Sequence, residues 1–202
     1  MRSLLSALAL CALAGGCRPV EWPGPAEVVL GGGVLRFLPW GDCARVPIIH
    51  GFQGGYHVWG GVRARYVTRS RLKLRFSVSD ASGRLIQYPG GARNPVEATV
   101  ELDPILASSL VATDGGVPAS GMCPDGGIPI AAGSPATAVP SGTDGWGETY
   151  GVTVFMPFDA SDGGELLPID DVDGRAIRIR LDLTDTDGRT ASDERVIVPF
   201  YR

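Results

Sequence analysis

The chain has 202 residues, with 18 Lys and Arg against 22 Asp and Glu, so its formal net charge is -4 and its isoelectric point is near 5.2. Binding to nucleic acid phosphates needs a clustered excess of basic residues, so this charge argues against nucleic acid as a partner. Hydrophobic residues make up 44% of the chain, which suffices for a packed core in one domain or at most two small ones.

The N-terminus carries a basic residue followed by a short apolar run. Arg2 precedes an apolar stretch at residues 4–14, which has the length of a secretory signal and is too short to span a bilayer. The stretch ends in Leu-Ala-Gly-Gly-Cys at residues 13–17, which resembles the lipobox of bacterial lipoproteins. The resemblance implies cleavage behind Gly16 and lipid modification of Cys17. The alternative is an ordinary signal peptide that leaves Cys17 as a plain thiol.

The same resemblance implies an exported protein that is anchored to the cell envelope by lipid. Arg18 is not the Asp associated with inner-membrane retention in many lipoproteins, which favours the outer membrane. Residues 18–26 contain three prolines and no apolar periodicity, as expected of a tether. The predicted organisation is therefore a signal peptide at 1–16, a lipidated N-terminus and tether at 17–26, and one domain at 27–202.

The cysteines support an extracytoplasmic location. Cys11 lies in the signal and Cys17 is the predicted lipid attachment site, so Cys43 and Cys123 remain. In an exported protein two such cysteines usually pair. We therefore predict a disulfide between them, with two free thiols as the alternative. No Cys-x-x-Cys or Cys/His spacing indicates a metal site built on this pair.

Most of the domain is predicted to be strand. Apolar and polar residues alternate most clearly from Leu72 to Ser79, and further strands are expected at residues 28–38, 56–67, 85–88, 97–102, 150–158, 177–183 and 196–200. Asp- and Gly-containing turns separate several of them. About eight strands, within a range of seven to nine, indicate an all-β fold in the form of a single antiparallel sandwich.

The last hairpin has the turn Asp-Thr-Asp-Gly at residues 185–188. This hairpin resembles the closing pair of bacterial immunoglobulin-like or fibronectin-III-like domains, and the resemblance implies an immunoglobulin-like topology. Residues 103–148 break the strand pattern and are predicted to be a long Gly- and Pro-rich insertion, which the Cys43–Cys123 disulfide would fasten to the domain. Its one aromatic residue, Trp146, is a candidate binding-loop residue, as is Trp59.

Both histidines lie in one glycine-rich string, residues 50–61, which resembles a segment of uncharacterised bacterial surface lipoproteins. We expect a bulge at Gly60 and Gly61 that places His57 and Trp59 on the core face of their strand, with the imidazole packed and hydrogen-bonded within the sheet. His50 and His57 are the weak candidates for a metal site, since two imidazoles seven residues apart need further ligands.

Acidic turns raise the alternative of calcium binding. Asp185, Asp187, Gly188 and Glu194 match four positions of an EF-hand loop, but Leu183 stands where the first ligand must be. A looser site that includes Asp159 and Asp162 is the remaining form of this alternative, and turn formation is the favoured role of the aspartates.

No catalytic motif is present: the chain lacks a Gly-x-Ser-x-Gly elbow, a His-Glu-x-x-His helix and a phosphate-binding loop. We therefore predict a protein that is not an enzyme and needs no cofactor. Its predicted role is a binding or structural one at the envelope, with the membrane as one partner through the lipid and an envelope protein or glycan as the other. The alternative function is a lipoprotein that binds copper, zinc or calcium.

Overall fold

The computed structural model describes residues 21–51, 56–80, 83, 85, 94–105, 123, 145–156 and 173–201. These residues form ten strands and no helix, so the all-β prediction is confirmed. In chain order the strands are β1 (Glu27–Gly32), β2 (Leu38–Pro39), β3 (Ala44–His50), β4 (Tyr56–Arg65), β5 (Leu72–Ser79), β6 (Val96–Val100), β7 (Asp103–Pro104), β8 (Trp146–Met156), β9 (Ile177–Thr184) and β10 (Thr190–Tyr201). Two of them have only two residues, and with these the strands outnumber the seven to nine predicted.

The alternating sequence pattern determines which faces are buried. In β5 the side chains of Leu72, Leu74, Phe76 and Val78 are fully buried, while Lys73 and Arg75 between them are exposed. β9 shows the same alternation, with Ile179, Leu181 and Leu183 inside. Because successive side chains of a strand point to opposite faces, each of these strands contributes one apolar face to the core.

The strands form one mixed sheet in the order β2-β1-β4-β3-β10-β9-β5-β6, with β8 paired to β4 and β7 paired to β8. All pairs are antiparallel except β3 with β10, which run parallel from Ala44 beside Ile197 to Ile48 beside Tyr201. The prediction of a purely antiparallel fold is therefore wrong. Hairpin turns set the direction of neighbouring strands, whereas β3 and β10 are far apart in the chain and no local turn constrains their direction.

The sheet curls so that its two halves share one core. One half contains β2, β1, β4, β8 and β7, and the other contains β10, β9, β5 and β6. β3 makes the connection, because its last two residues pair with β4 while residues 44–48 pair with β10. The main apolar cluster combines Val58 and Val62 of β4 with Phe76 of β5, Leu181 of β9 and Ile197 of β10. The backbone N–H of Leu30 also donates to Asp193 Oδ2 at 2.8 Å, which joins β1 to β10.

The predicted bulge lies in a different strand. Gly60 pairs with Val152 and Gly61 with Tyr150, so the extra residue is Gly151 of β8, whose φ is 73°. β4 itself pairs with β1 without interruption. Strict alternation therefore holds along β4, and the expectation that His57 and Trp59 face the core is wrong. They lie on the outer face, because glycine in β8 adopts the left-handed backbone that the bulge requires.

Glycines opposite each other in β1 and β4 make room for two aromatic rings. Gly31 pairs with Gly61 and Gly32 with Gly60. A Cβ atom on Gly31 would lie 2.6 Å from Cζ of Phe37, and one on Gly32 would lie 2.6 Å from Cζ2 of Trp40. Phe37 packs on the outer face and Trp40 joins the main core. These glycines therefore serve close packing between elements rather than turns.

The predicted insertion is shorter than residues 103–148. Asp103 and Pro104 form β7, which pairs with Glu148 and Gly147 at the start of β8. Trp146 is the first residue of β8 and only 3% exposed. Between these strands, the described residues are Ile105, Cys123 and Gly145, and the rest of the predicted insertion lies outside the described residues.

Candidate functional site

The sulfur atoms of Cys43 and Cys123 lie 2.09 Å apart, and their Cα atoms are separated by 5.5 Å. This geometry is that of a disulfide and agrees with the predicted pairing. Cys123 is 1% exposed and packs with Ala176, Val196 and Val198. The bond therefore ties one point of the long β7–β8 connection to a small core beside β10. Cys17, the predicted lipid attachment site, lies outside the described residues.

The two histidines lie on opposite faces of the sheet. His57 stands opposite Ile49, and His50 stands opposite Tyr56. Residues directly opposite each other in an antiparallel pair share a face, whereas adjacent residues of one strand do not. His50 stacks on Tyr56 with ring centroids 4.9 Å apart, and His57 meets the ring of Trp59 edge-on at 4.7 Å. The structure therefore does not bring His50 and His57 together as metal ligands.

His57 is the one buried histidine. It is 8% exposed, and its Nε2 atom has no hydrogen-bond partner. Burial lowers the pKa of His57 below its ordinary value of 6.5, because the charged imidazolium loses solvation there. Burial therefore favours the neutral imidazole. His57 is packed as predicted, but on the other face of the strand and without a hydrogen bond at Nε2.

Charged and aromatic side chains interlock on the outer face of β4. Arg63 Nε donates to Glu148 Oε2 at 2.8 Å, and both side chains are less than a tenth exposed. The guanidinium of Arg63 also lies 4.8 Å from the ring centroid of Phe37. Because each charge is paired and hydrogen-bonded, this buried pair can exist without an isolated charge in the core.

The neighbouring arginine repeats the arrangement closer to the surface. Arg65 pairs with Glu27 at 2.7 Å and lies 4.9 Å from the ring centroid of Trp146. The two tryptophans proposed as binding-loop residues are both in strands, so that part of the prediction is wrong. Trp146 is buried under Arg65, and Trp59 is half-buried on the outer face. The sequence does contain a signal for this strand, because Trp146, Glu148 and Tyr150 are spaced two residues apart and therefore share one face.

The carboxylates of the acidic turns accept hydrogen bonds from backbone N–H groups. Asp185 Oδ1 accepts from the backbone N–H groups of Asp187 and Arg189, and Asp185 Oδ2 accepts from that of Thr68. Asp173 accepts similarly from Tyr201. These carboxylates close turns and join strands, which agrees with the favoured turn role and disfavours the calcium alternative at Asp185. Asp159 and Asp162 lie outside the described residues.

Within the described ranges, no three His, Cys, Asp or Glu side chains converge on a point that could hold a metal ion. Likewise, no helix in this part of the chain has the length and apolarity needed to cross a membrane.

A polar groove of about 510 Å³ lies on the outer face of β5, β6 and β9. Arg75 stands at its centre, directly opposite Glu97 on one side and Asp182 on the other. Its lining residues are Lys73, Leu74, Arg75, Glu97, Ala98, Thr99, Asp182 and Thr184. These charged and polar groups can donate and accept hydrogen bonds to a polar partner such as a glycan or a protein surface.

Sequence reasoning did not identify this groove, because its residues come from three strands that are paired only in the folded sheet. Comparison with family models, with curated proteins and with solved structures found no match to this chain.

Proposed function

We propose that this chain is a lipid-anchored protein of the bacterial cell envelope, with a non-catalytic binding or structural role carried out by an immunoglobulin-like domain. The observation that carries the proposal is the disulfide between Cys43 and the buried Cys123. Disulfides persist in oxidising compartments outside the cytosol, which is where the signal sequence and the lipobox-like segment would deliver the chain. The outer membrane is the proposed site of attachment, on the basis of Arg18.

The immunoglobulin-like assignment is supported by three features. The sheet curls so that residues from both halves share one core, β3 pairs with both halves, and β9 and β10 form the closing hairpin. A strand that passes from one half to the other is a common device for closing a sandwich. In this chain, the proposed immunoglobulin-like topology also contains a parallel pair, β3 with β10.

The binding role is supported by the polar groove on β5, β6 and β9. Lys73, Arg75 and Glu97 line it, and none of these three makes an ion pair with a described side chain at salt-bridge distance. We propose an envelope protein or glycan as the partner, because such surfaces offer many hydroxyl, amide and carboxylate groups. A copper or zinc site built on both His50 and His57 is not carried forward, because their imidazoles lie on opposite faces.

Metabolic labelling with a palmitate analogue tests the anchor. The wild-type chain, expressed in a bacterial host, is expected to incorporate the label and to fractionate with membranes. A Cys17→Ala variant is expected to lose both properties. As a matched control, a Cys43→Ala/Cys123→Ala variant keeps Cys17 and should be labelled like the wild type. An unlabelled wild-type chain would refute the lipid anchor.

A further inference from the structure

Exposed apolar side chains are concentrated at the turn between β1 and β2. Leu35 is 86% exposed and Val34 54% exposed, and Leu38 and Tyr150 are exposed nearby. These are four of the seven large hydrophobic side chains that are exposed among the described residues. Single exposed apolar residues are ordinary, whereas a contiguous group of them marks an interaction surface.

Backbone hydrogen bonds place the turn beside Tyr150 on the outer face. The N–H of Gly33 donates to the carbonyl of Trp59 at 3.1 Å, and the N–H of Gly151 donates to the carbonyl of Gly33 at 3.0 Å. The turn therefore lies against β4 and against the bulge of β8, next to Tyr150. We refer to Val34, Leu35 and Tyr150 as the hairpin patch; Leu38, which pairs with Gly32, lies on the other face of the sheet.

The turn is fixed in place by a neighbouring aromatic ring. Phe37 is 4% exposed and occupies the space that Gly31 and Gly61 leave open on the outer face. Arg36, between the exposed Leu35 and the buried Phe37, is itself exposed and forms no ion pair with a described side chain at salt-bridge distance. The molecule therefore presents an aliphatic protrusion with an arginine beside it.

The proposed anchor keeps this patch close to a bilayer. Arg189 donates to the carbonyl of Gly24 at 2.6 Å and stacks over Trp22, so the folded domain begins before the predicted end of the tether at residue 26. At most about 17 Å of extended chain then separates Cys17 from Trp22. β1 carries the chain roughly 20 Å further to the turn. With so short a connection, the turn can contact the bilayer when the outer face of the domain lies toward the membrane.

We propose that the hairpin patch inserts into the bilayer to which Cys17 anchors the chain, which makes this inference dependent on the proposed function. Val34 and Leu35 enter the boundary between headgroups and acyl chains, which shallow interfacial segments reach at a depth of roughly 5–10 Å. Tyr150 and Trp59 lie at headgroup level, where tyrosine and tryptophan are enriched. Arg36 extends its apolar stem along the surface and places its guanidinium at a lipid phosphate.

The test uses tryptophan fluorescence in phosphatidylcholine vesicles whose acyl chains carry bromine, which quenches nearby indoles. Two variants are compared with the parent protein: Leu35→Trp in the hairpin patch, and Tyr201→Trp at the exposed end of β10 as the matched control. We expect the added emission of Leu35→Trp to shift to the blue and to be strongly quenched, as for an indole at the boundary between headgroups and acyl chains. The added emission of Tyr201→Trp should be unaffected. Equal, weak quenching of both would overturn the proposal and favour a protein partner for the patch.

The same preparation separates this proposal from that of the anchor. The exported protein is first analysed for acyl groups by mass spectrometry and, if it carries them, is reconstituted directly into the vesicles. If it carries none, the anchor proposal has failed, and Cys17 is the free thiol that remains beside the disulfide. The Cys17 thiol is then coupled to a maleimide lipid, and the same fluorescence measurement is made. Quenching of Leu35→Trp in this second arrangement would support insertion by the patch although native acylation is absent.

Discussion

The environment of His57 links a single residue to the pH dependence of stability. Burial lowers the pKa of His57 in the folded protein, whereas the unfolded chain retains the ordinary value of 6.5. The unfolded state therefore binds more protons just below pH 6.5, and stability falls as the pH falls. Well above pH 6.5 both states are neutral at this residue, and its contribution to stability is complete.

We predict that His57→Leu reduces the loss of unfolding free energy between pH 7 and pH 5, since leucine has no proton to bind. Urea unfolding at several pH values measures this slope. A His57→Leu variant with the wild-type slope would show that burial of this imidazole has no such effect.

The buried pair of Arg63 and Glu148 gives a second prediction for single residues. Glu148→Gln leaves the Arg63 charge without a counter-charge in a nearly inaccessible position, and we expect it to lower the free energy of unfolding by about 3 kcal/mol. Glu27→Gln removes the acidic partner of Arg65, whose side chain is 30% exposed, and we expect a loss below about 1 kcal/mol. Equal losses in chemical denaturation would contradict the distinction between the two pairs.

Among the elements, β4 shows where sequence patterns succeed and where they stop. The predicted bulge would have separated Val58 from Val62 and Ala64, whereas strict alternation along β4 buries all three side chains in the main core. The outer face could not be assigned, because it depends on whether β4 or its partner holds the extra residue. Gly151 lies 90 residues after Gly61 in the chain, and the pairing of its strand with β4 is visible only in the folded sheet. The parallel direction of β3 and β10 could not be predicted either, because this pair also joins residues that are far apart in the chain.

The facing glycines of β1 and β4 give a prediction about packing between elements. Gly31→Ala places a methyl group against Phe37 and the backbone of β2, and we expect it to cost about 1–3 kcal/mol of unfolding free energy. Gly41→Ala is the matched control, because no atom lies within 4 Å of the position that its Cβ would take. Thermal unfolding that shifts equally in both variants would contradict this role for the glycines.

At the scale of the whole molecule, the disulfide joins segments that are 80 residues apart. We predict that Cys43→Ala/Cys123→Ala lowers the free energy of unfolding by about 4 kcal/mol, because the cross-link restricts the unfolded chain over this long loop. Urea unfolding of the variant and of the oxidised wild type measures the difference. A loss below about 1 kcal/mol would mean that the unfolded chain gains little from removal of the cross-link.

The pair of cysteines was predictable because the predicted signal segment and the predicted lipid attachment site account for the other two of the four. The groove on β5, β6 and β9 and the hairpin patch were not, since each combines strands that are distant in the chain. Alternation along one strand shows which side chains are exposed, but not which exposed side chains become neighbours.

The mass of the intact, exported protein tests the central claim most directly. The account predicts a chain that begins at Cys17, carries a diacylglycerol on that residue, and gains two hydrogens when the Cys43–Cys123 disulfide is reduced. A chain that contains an unmodified Cys17 would contradict the proposal of a lipid-anchored envelope protein.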